Sequence, residues 1–300
     1  MKFGKLTDIS DVDFTLPKDG KGINKLINPE NNSSEILIGC PAWGCKEWKG
    51  KIYPDNSKSD EFLNHYSRHF QTIELNTTFY RTPDVQTIMN WKERSDDDFK
   101  FCPKVSREIS HLRRLDNCVE LTHQFCNAFI PLAEKLGSFF LQLPPNFTPR
   151  EFSKLENFIL NFPPGLGLAV EFRHPEWFSN QSAFENARNL LESQEMLMVI
   201  TDVAGRRDVL HQNRTTDETM IRFVGNDLHP TDYERADEWV DKLEEWATMG
   251  MRRCYFFVHE PDDINCPEMA YYITKKISEK PNLKAKRVNL MPVMKQRSLF

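Results

Sequence analysis

Short apolar runs alternate with longer amphipathic stretches along most of this chain. Eight runs have the length and the β-branched or aromatic content of buried strands: ILIGC at 36–40, TIELN at 72–76, FKFCPKV at 99–105, SFFLQL at 138–143, LAVEF at 168–172, MLMVITD at 196–202, MIRFVG at 220–225 and CYFFVH at 254–259. Apolar residues at helical spacing predict a helix running through 65–70, with Ser59 or Asp60 as its cap, and further helices near 85–94, 119–135, 150–162, 182–193, 233–248 and 267–279. A polar, Arg-rich loop follows the sixth run instead. Eight strands, seven of them followed by helices, predict an α/β fold with a single (β/α)8 TIM barrel over residues 35–280. A doubly wound sheet is the rival topology, but no GxGxxG follows the first strand.

The flanks read differently. Residues 1–34 form a polar N-terminal arm without periodicity, which Phe3, Leu6, Phe14 and Leu16 can dock onto the barrel surface. Residues 281–300 form a basic C-terminal tail with Lys284, Lys286, Arg287, Lys295 and Arg297, expected to be mobile.

Composition changes the picture only modestly. A net charge of −5 argues against a protein that coats nucleic acid by charge alone, and the barrel carries no strong nucleic-acid signal. Seven scattered cysteines fit reduced thiols, and Cys40 and Cys45 lack the paired clusters of a structural zinc site. No apolar run is long enough to span a bilayer, and Asp8, Asp11 and Asp13 stand where a signal peptide needs an apolar core, so the expected location is the cytoplasm.

The candidate chemistry lies where the strands end. Side chains alternate faces along a strand, so Glu171 and Arg173 share one face while Val170 and Phe172 take the other. Glu74, Asn76, Lys104, Gln142, Asp202, Arg222 and His259 also stand near the C-terminal ends of strands, with Tyr80, His174 and Trp177 just beyond, and a barrel binds its ligands there. Glu74, Lys104, Glu171 and Asp202 are the candidate catalytic groups; Asn76, Tyr80, Gln142, Arg173, His174, Trp177, Arg222 and His259 are the candidate binding groups. Two carboxylates can divide acid and base roles while Arg173 and Lys104 clamp an anion, as in a hydrolase or lyase for a phosphorylated or sugar-like substrate.

Several readings stay open beside that one. Trp43, Trp48, Tyr80 and Trp177 can stack on sugars or simply pack loops. Glu74, Glu171, Asp202, His259 and Glu260 are acceptable ligands for a divalent metal ion. Lys104 can form a Schiff base, or pair with a glutamate. The polar set can also plug the barrel mouth structurally, or bind a metabolite without turning it over.

Five blocks carry a family resemblance: GCPAWGCKEWKGKIYP, IELNTTFYRTP, FCPKVSREISHLRRL, LQLPPNF and LAVEFRHPEWF. In order and spacing the region from about 38 to 178 resembles the YecE-like proteins, a TIM-barrel family classed as domain of unknown function 72. The resemblance implies the fold and a pocket, and no reaction. It weakens further on, where Val224 stands in place of a histidine often found on strand seven and FVHEPDD replaces an Asn-rich ending of strand eight, so that His259 and Glu260 stand in place of amides. The last residues, Gln296, Arg297, Ser298, Leu299 and Phe300, resemble the peptide by which bacterial DNA polymerases and repair proteins dock on the sliding clamp; the rival reading is a tail that packs on its own barrel. Were the tail used that way, the Arg113 and Arg114 segment would be placed to contact phosphates.

Overall fold

The eight apolar runs become eight parallel strands: β1 Ser34–Cys40, β2 Thr72–Leu75, β3 Lys100–Pro103, β4 Phe139–Gln142, β5 Leu168–Glu171, β6 Leu197–Asp202, β7 Glu218–Val224 and β8 Arg253–His259. The computed structural model describes residues 4–20 and 33–292. Hydrogen bonding runs in the order β3-β2-β1-β8-β7-β6-β5-β4. The remaining seam is bridged where Lys104 lies opposite Phe140, with Val105 N donating to Phe140 O at 2.9 Å, so the strands form a nearly closed barrel. Alternation divides each strand between two cores. Leu37, Cys102, Phe140, Ala169, Val199 and Met220 fill the barrel, while Ile38, Val170, Phe172 and Ile200 face the helices outside.

Helices follow the strands: α1 Phe62–His69, α2 Val85–Arg94, α3 Val119–Phe129, α4 Phe152–Leu160, α5 Glu176–Ser179 and α6 Gln181–Ser193 after β5, α7 Pro230–Thr248 and α8 Cys266–Ile277. Asp84 caps α2 by accepting from Thr87 N at 2.7 Å, and Asn180 caps α6 in the same way from Ala183 N at 3.1 Å. The cap expected at Ser59 or Asp60 is not formed, because α1 begins later, behind Glu61, whose carboxylate turns back to Lys58 N. No helix among the described residues is long and apolar enough to cross a membrane.

The Arg-rich stretch after β6 forms only a kinked 3-10 turn, Ala204–Val209, so the outer layer lacks a helix there. The N-terminal arm takes part of that place. Gly4 O accepts from Gly205 N, the Phe14 ring lies 5.4 Å from the Arg207 guanidinium and 5.0 Å from that of Arg235, and Asp19 accepts from Trp246 Nε1 at 3.1 Å. Leu16 packs on the core as expected, Leu6 remains exposed, and Phe3 lies outside the described residues.

The first half of the basic tail is docked, contrary to the expectation of mobility. Strand β9, Leu283–Lys284, pairs with β1; Lys286 bridges Asp96 and Asp98; Val288 is fully buried. Gln296, Ser298, Leu299 and Phe300 lie outside the described residues, and so does the clamp-like peptide they form.

Candidate active site at the barrel mouth

On six strands, a polar residue follows an inward apolar one by two positions, which keeps it on the same face. Cys102 is followed by Lys104, Phe140 by Gln142, Ala169 by Glu171, Val199 by Thr201, Met220 by Arg222 and Phe257 by His259. The inner apolar core is therefore roofed by a polar layer at the C-terminal end of the barrel.

Arg222 organises this layer. Its Nε and Nη2 donate to Glu74 at 2.8 and 3.1 Å, and its Nη1 donates to Glu171 Oε1 at 3.2 Å. Glu171 also accepts from Gln142 Nε2, from Thr201 Oγ1 at 2.9 Å and from Arg173 Nε at 3.2 Å, while His259 Nε2 lies 3.1 Å from Glu74 Oε2. Burial pushes both carboxyls up, but the surrounding cations outweigh it. Arg222 and His259 hold Glu74 well below the usual carboxylate range, and Arg173 and Arg222, with help from Gln142 and Lys104, hold Glu171 at about 2. Both stay ionised at neutral pH, so neither is a proton donor.

Lys104 is the exception in the layer. Its Nζ donates to the amide oxygens of Asn76 at 3.2 Å and Gln142 at 3.0 Å, and lies 5.0 Å from the Phe79 ring centre and 5.4 Å from that of Phe140. It makes no ion pair with a carboxylate among the described residues. Burial lowers it most, the more distant Glu74 and Glu171 offset that in part, and Arg222 and Arg173 lower it further, to about 8.

Above this layer opens a cavity of about 570 Å³ lined by Asn76, Tyr80, Lys104, Gln142 and His259 from the expected set. Arg107, His111 and Asp263 join them, none of which the strand-end argument selected. They arrive on loops. A single π-turn, Glu108–Leu112, carries His111, and it is followed by Arg114 and Leu115 at φ of 52° and 62°, a left-handed conformation that costs energy in these residues. The turn is held because Leu115 is buried and Arg114 grips Glu151 and Asn146 on the next loop. Burial, and then Lys104, Arg173 and Arg107, push His111 down to about 4. Arg107 is exposed and makes no ion pair among the described residues. The mouth therefore sets cations and the Asp263 carboxyl around a buried, titratable amine.

Several expectations are corrected. Asp202 points away from the barrel: it accepts from Trp239 Nε1 at 2.7 Å and pairs with Arg235 and Arg207, because Leu197, Val199 and Thr201 are the inward residues of β6. Trp177 is buried between Phe147 and Phe172 and donates to Phe147 O at 2.8 Å, so it packs a loop and offers no sugar platform; Trp48 is likewise buried, donating to Asp263 O. His174 accepts from Glu176 N at the start of α5 and does not line the mouth cavity. The proposed metal donors do not converge, with Arg222 between Glu74 and Glu171, Asp202 behind the wall and Glu260 over Gly225; no group of three such donors occurs among the described residues. Arg113 and Arg114, considered as phosphate contacts, are engaged by Glu108 and Glu151.

Comparison with known proteins agrees with this architecture. The model of the family described as protein of unknown function DUF72 matches residues 37–292. The UPF0759 protein YecE of Escherichia coli O157:H7 is 32% identical over 254 residues, covering 79% of this chain and 90% of that protein. The UPF0759 protein YunF of Bacillus subtilis is 26% identical over 201 residues, covering 63% and 70%. Among solved structures, a DUF72 family protein of Enterococcus faecalis superposes with a TM-score of 0.65 at 16% identity, over 82% of this chain and 99% of that one. One of Thermotoga maritima gives 0.60 at 24%, over 82% and 99%. These two share the fold. With a family match across most of its length and a relative this similar, the chain belongs to the DUF72 family.

Proposed function

We propose that the barrel is a lyase for a small anionic carbonyl compound, with Lys104 as its reacting amine. The observation that carries this reading is the setting of Lys104 Nζ: buried in the mouth cavity, bonded only to neutral amide oxygens and held at about 8. At that value about half of the amine is neutral at pH 8, against under about 1% of an ordinary lysine. The neutral nitrogen adds to the carbonyl carbon, and the carbonyl oxygen leaves as water with the two hydrogens of the amine. Once protonated, the C=N bond takes up the electron pair of the adjacent Cα–Cβ bond as an enamine while the far fragment leaves as a carbonyl compound, its β-hydroxyl proton passing to solvent. Protonation of the enamine and hydrolysis of C=N then release the second product and free Lys104. Exposed Arg107 and the cationic layer beneath attract the phosphate or carboxylate of the substrate.

A hydrolase built on Glu74 and Glu171 has less support, because that chemistry needs one carboxyl of the pair kept protonated, and Arg222 with His259 on the first and Arg173 with Arg222 on the second hold both ionised. The test is borohydride reduction of the protein in the presence of pyruvate, dihydroxyacetone phosphate or glyceraldehyde 3-phosphate, read by peptide mass spectrometry. The expected result is a stable adduct on Lys104 that is absent from Lys104→Arg. Adducts scattered over surface lysines, or binding of all three without any adduct on Lys104, would overturn the lyase reading and leave a ligand-binding barrel.

A further inference from the structure

We infer that the mouth is one half of a two-part site, and that the groove beside it takes the sugar-like, polyhydroxylated part of the same molecule. The inference rests on the anion-binding mouth proposed above and adds a substrate class to it. A second cavity, of about 550 Å³, lies between the loops after β1 and β2. Pro41 and Asn76 line both cavities, so a molecule held in the mouth can extend past them into the groove. Each volume falls in the range of about 300–1,000 Å³ usual for small-molecule sites.

The groove wall is chemically particular. Trp43, Trp91, Pro41 and Pro83 supply flat apolar surface, and Arg81 and Asp84 supply polar groups. Of the six tryptophans, Trp48, Trp177, Trp239 and Trp246 each donate the indole N–H to a protein acceptor. Trp43 and Trp91 make no such bond among the described residues, and they are the two that line the groove. Arg81 also lacks an ion-pair partner among the described residues. Neither indole N–H is a buried atom without a partner, so both face the open groove and can donate to a bound molecule. A lining with solvent-facing donors, one carboxylate and flat apolar walls matches a sugar-like ring: its C–H faces lie on indole and proline, its oxygens accept from the indoles and Arg81, and a hydroxyl donates to Asp84. The loop is pinned for this, since Tyr53 Oη donates to Trp43 O at 2.8 Å and the Trp43 and Trp91 rings meet edge to face at 5.5 Å.

Calorimetric titration of the full chain with inorganic phosphate, methyl β-glucoside, ribose 5-phosphate, glucose 6-phosphate and fructose 6-phosphate tests this. At least one sugar phosphate should bind tenfold or more tightly than phosphate, and Trp43→Ala should remove that gain while leaving phosphate affinity unchanged. Arg81→Ala, at an exposed position, should lower sugar phosphate affinity alone and stands in if the Trp43 variant does not fold. Sugar phosphates that bind no tighter than phosphate, or a Trp43 variant that weakens phosphate equally, would overturn the groove assignment and leave the mouth intact. If neither phosphate nor any sugar phosphate binds, the mouth reading falls and this one with it.

Discussion

Arg222 on β7 meets Glu74 on β2, three strands away around the barrel, through two hydrogen bonds of 2.8 and 3.1 Å between wholly buried side chains. The same guanidinium serves Glu171, so one cation neutralises much of two buried carboxylates. Arg222→Met should leave Glu74 with His259 alone and Glu171 with Arg173 as its only close cation, and cost about 3–5 kcal/mol. Urea unfolding at pH 7 measures it, and a loss under about 1 kcal/mol would show that the network is not what holds the mouth together.

Acid should act through Glu171. Its folded value of about 2 lies below the ordinary 4.5, so its contribution is fully present above pH 4.5 and is lost as pH falls from there towards 2. The contribution is on the order of 3 kcal/mol. Glu171→Gln should therefore be less stable than the wild type at pH 7, with the gap closing between pH 4.5 and 2. A gap that stays constant across that window would contradict the assignment.

Neighbouring residues on β6 should separate site from scaffold. Thr201→Val removes a hydroxyl bonded to Glu171 and should cost about 1 kcal/mol while altering anion affinity in the mouth. Asp202→Asn weakens the contacts to Arg235 and Trp239 behind the wall and should cost about 3 kcal/mol with anion affinity unchanged. Unfolding and phosphate titrations of both variants decide it; an Asp202 variant that folds normally and fails to bind would return Asp202 to the site.

Removal of residues 1–20 should uncover the barrel wall beside β6. Phe14, Leu16 and Asp19 contact Arg207, Arg235, the core and Trp246, so the truncated chain should lose at least about 2 kcal/mol, roughly one buried side chain plus its polar contacts. Thermal unfolding and tryptophan fluorescence report it, and an unchanged midpoint would mean the arm is only an adornment.

What the sequence makes readable follows from what repeats in it. Period-two alternation puts Glu171 on the inner face of β5 with Arg173 just past its end bonded to it, and the polar ends of β2, β3, β4, β7 and β8 follow the same rule. The missing helix after β6 is visible as an Arg-rich stretch without apolar spacing. Asp202 misleads because it ends the run, although Thr201 has the inward parity; counting back to Val199 would have chosen Thr201, had the inner face been known. Trp177 and Trp48 are indistinguishable from Trp43 by residue type, and only burial separates packing from lining. Arg107 and His111 reach the mouth through a π-turn and a left-handed Arg114–Leu115 pair, for which the sequence carries no periodic signal.

The pH dependence of Lys104 acetylation by trace acetic anhydride, followed by peptide mass spectrometry, tests the central claim most directly. The account predicts a rate that rises to half its maximum near pH 8, together with slowing of the reaction by inorganic phosphate. A midpoint near the ordinary 10.5 with no effect of phosphate would contradict it.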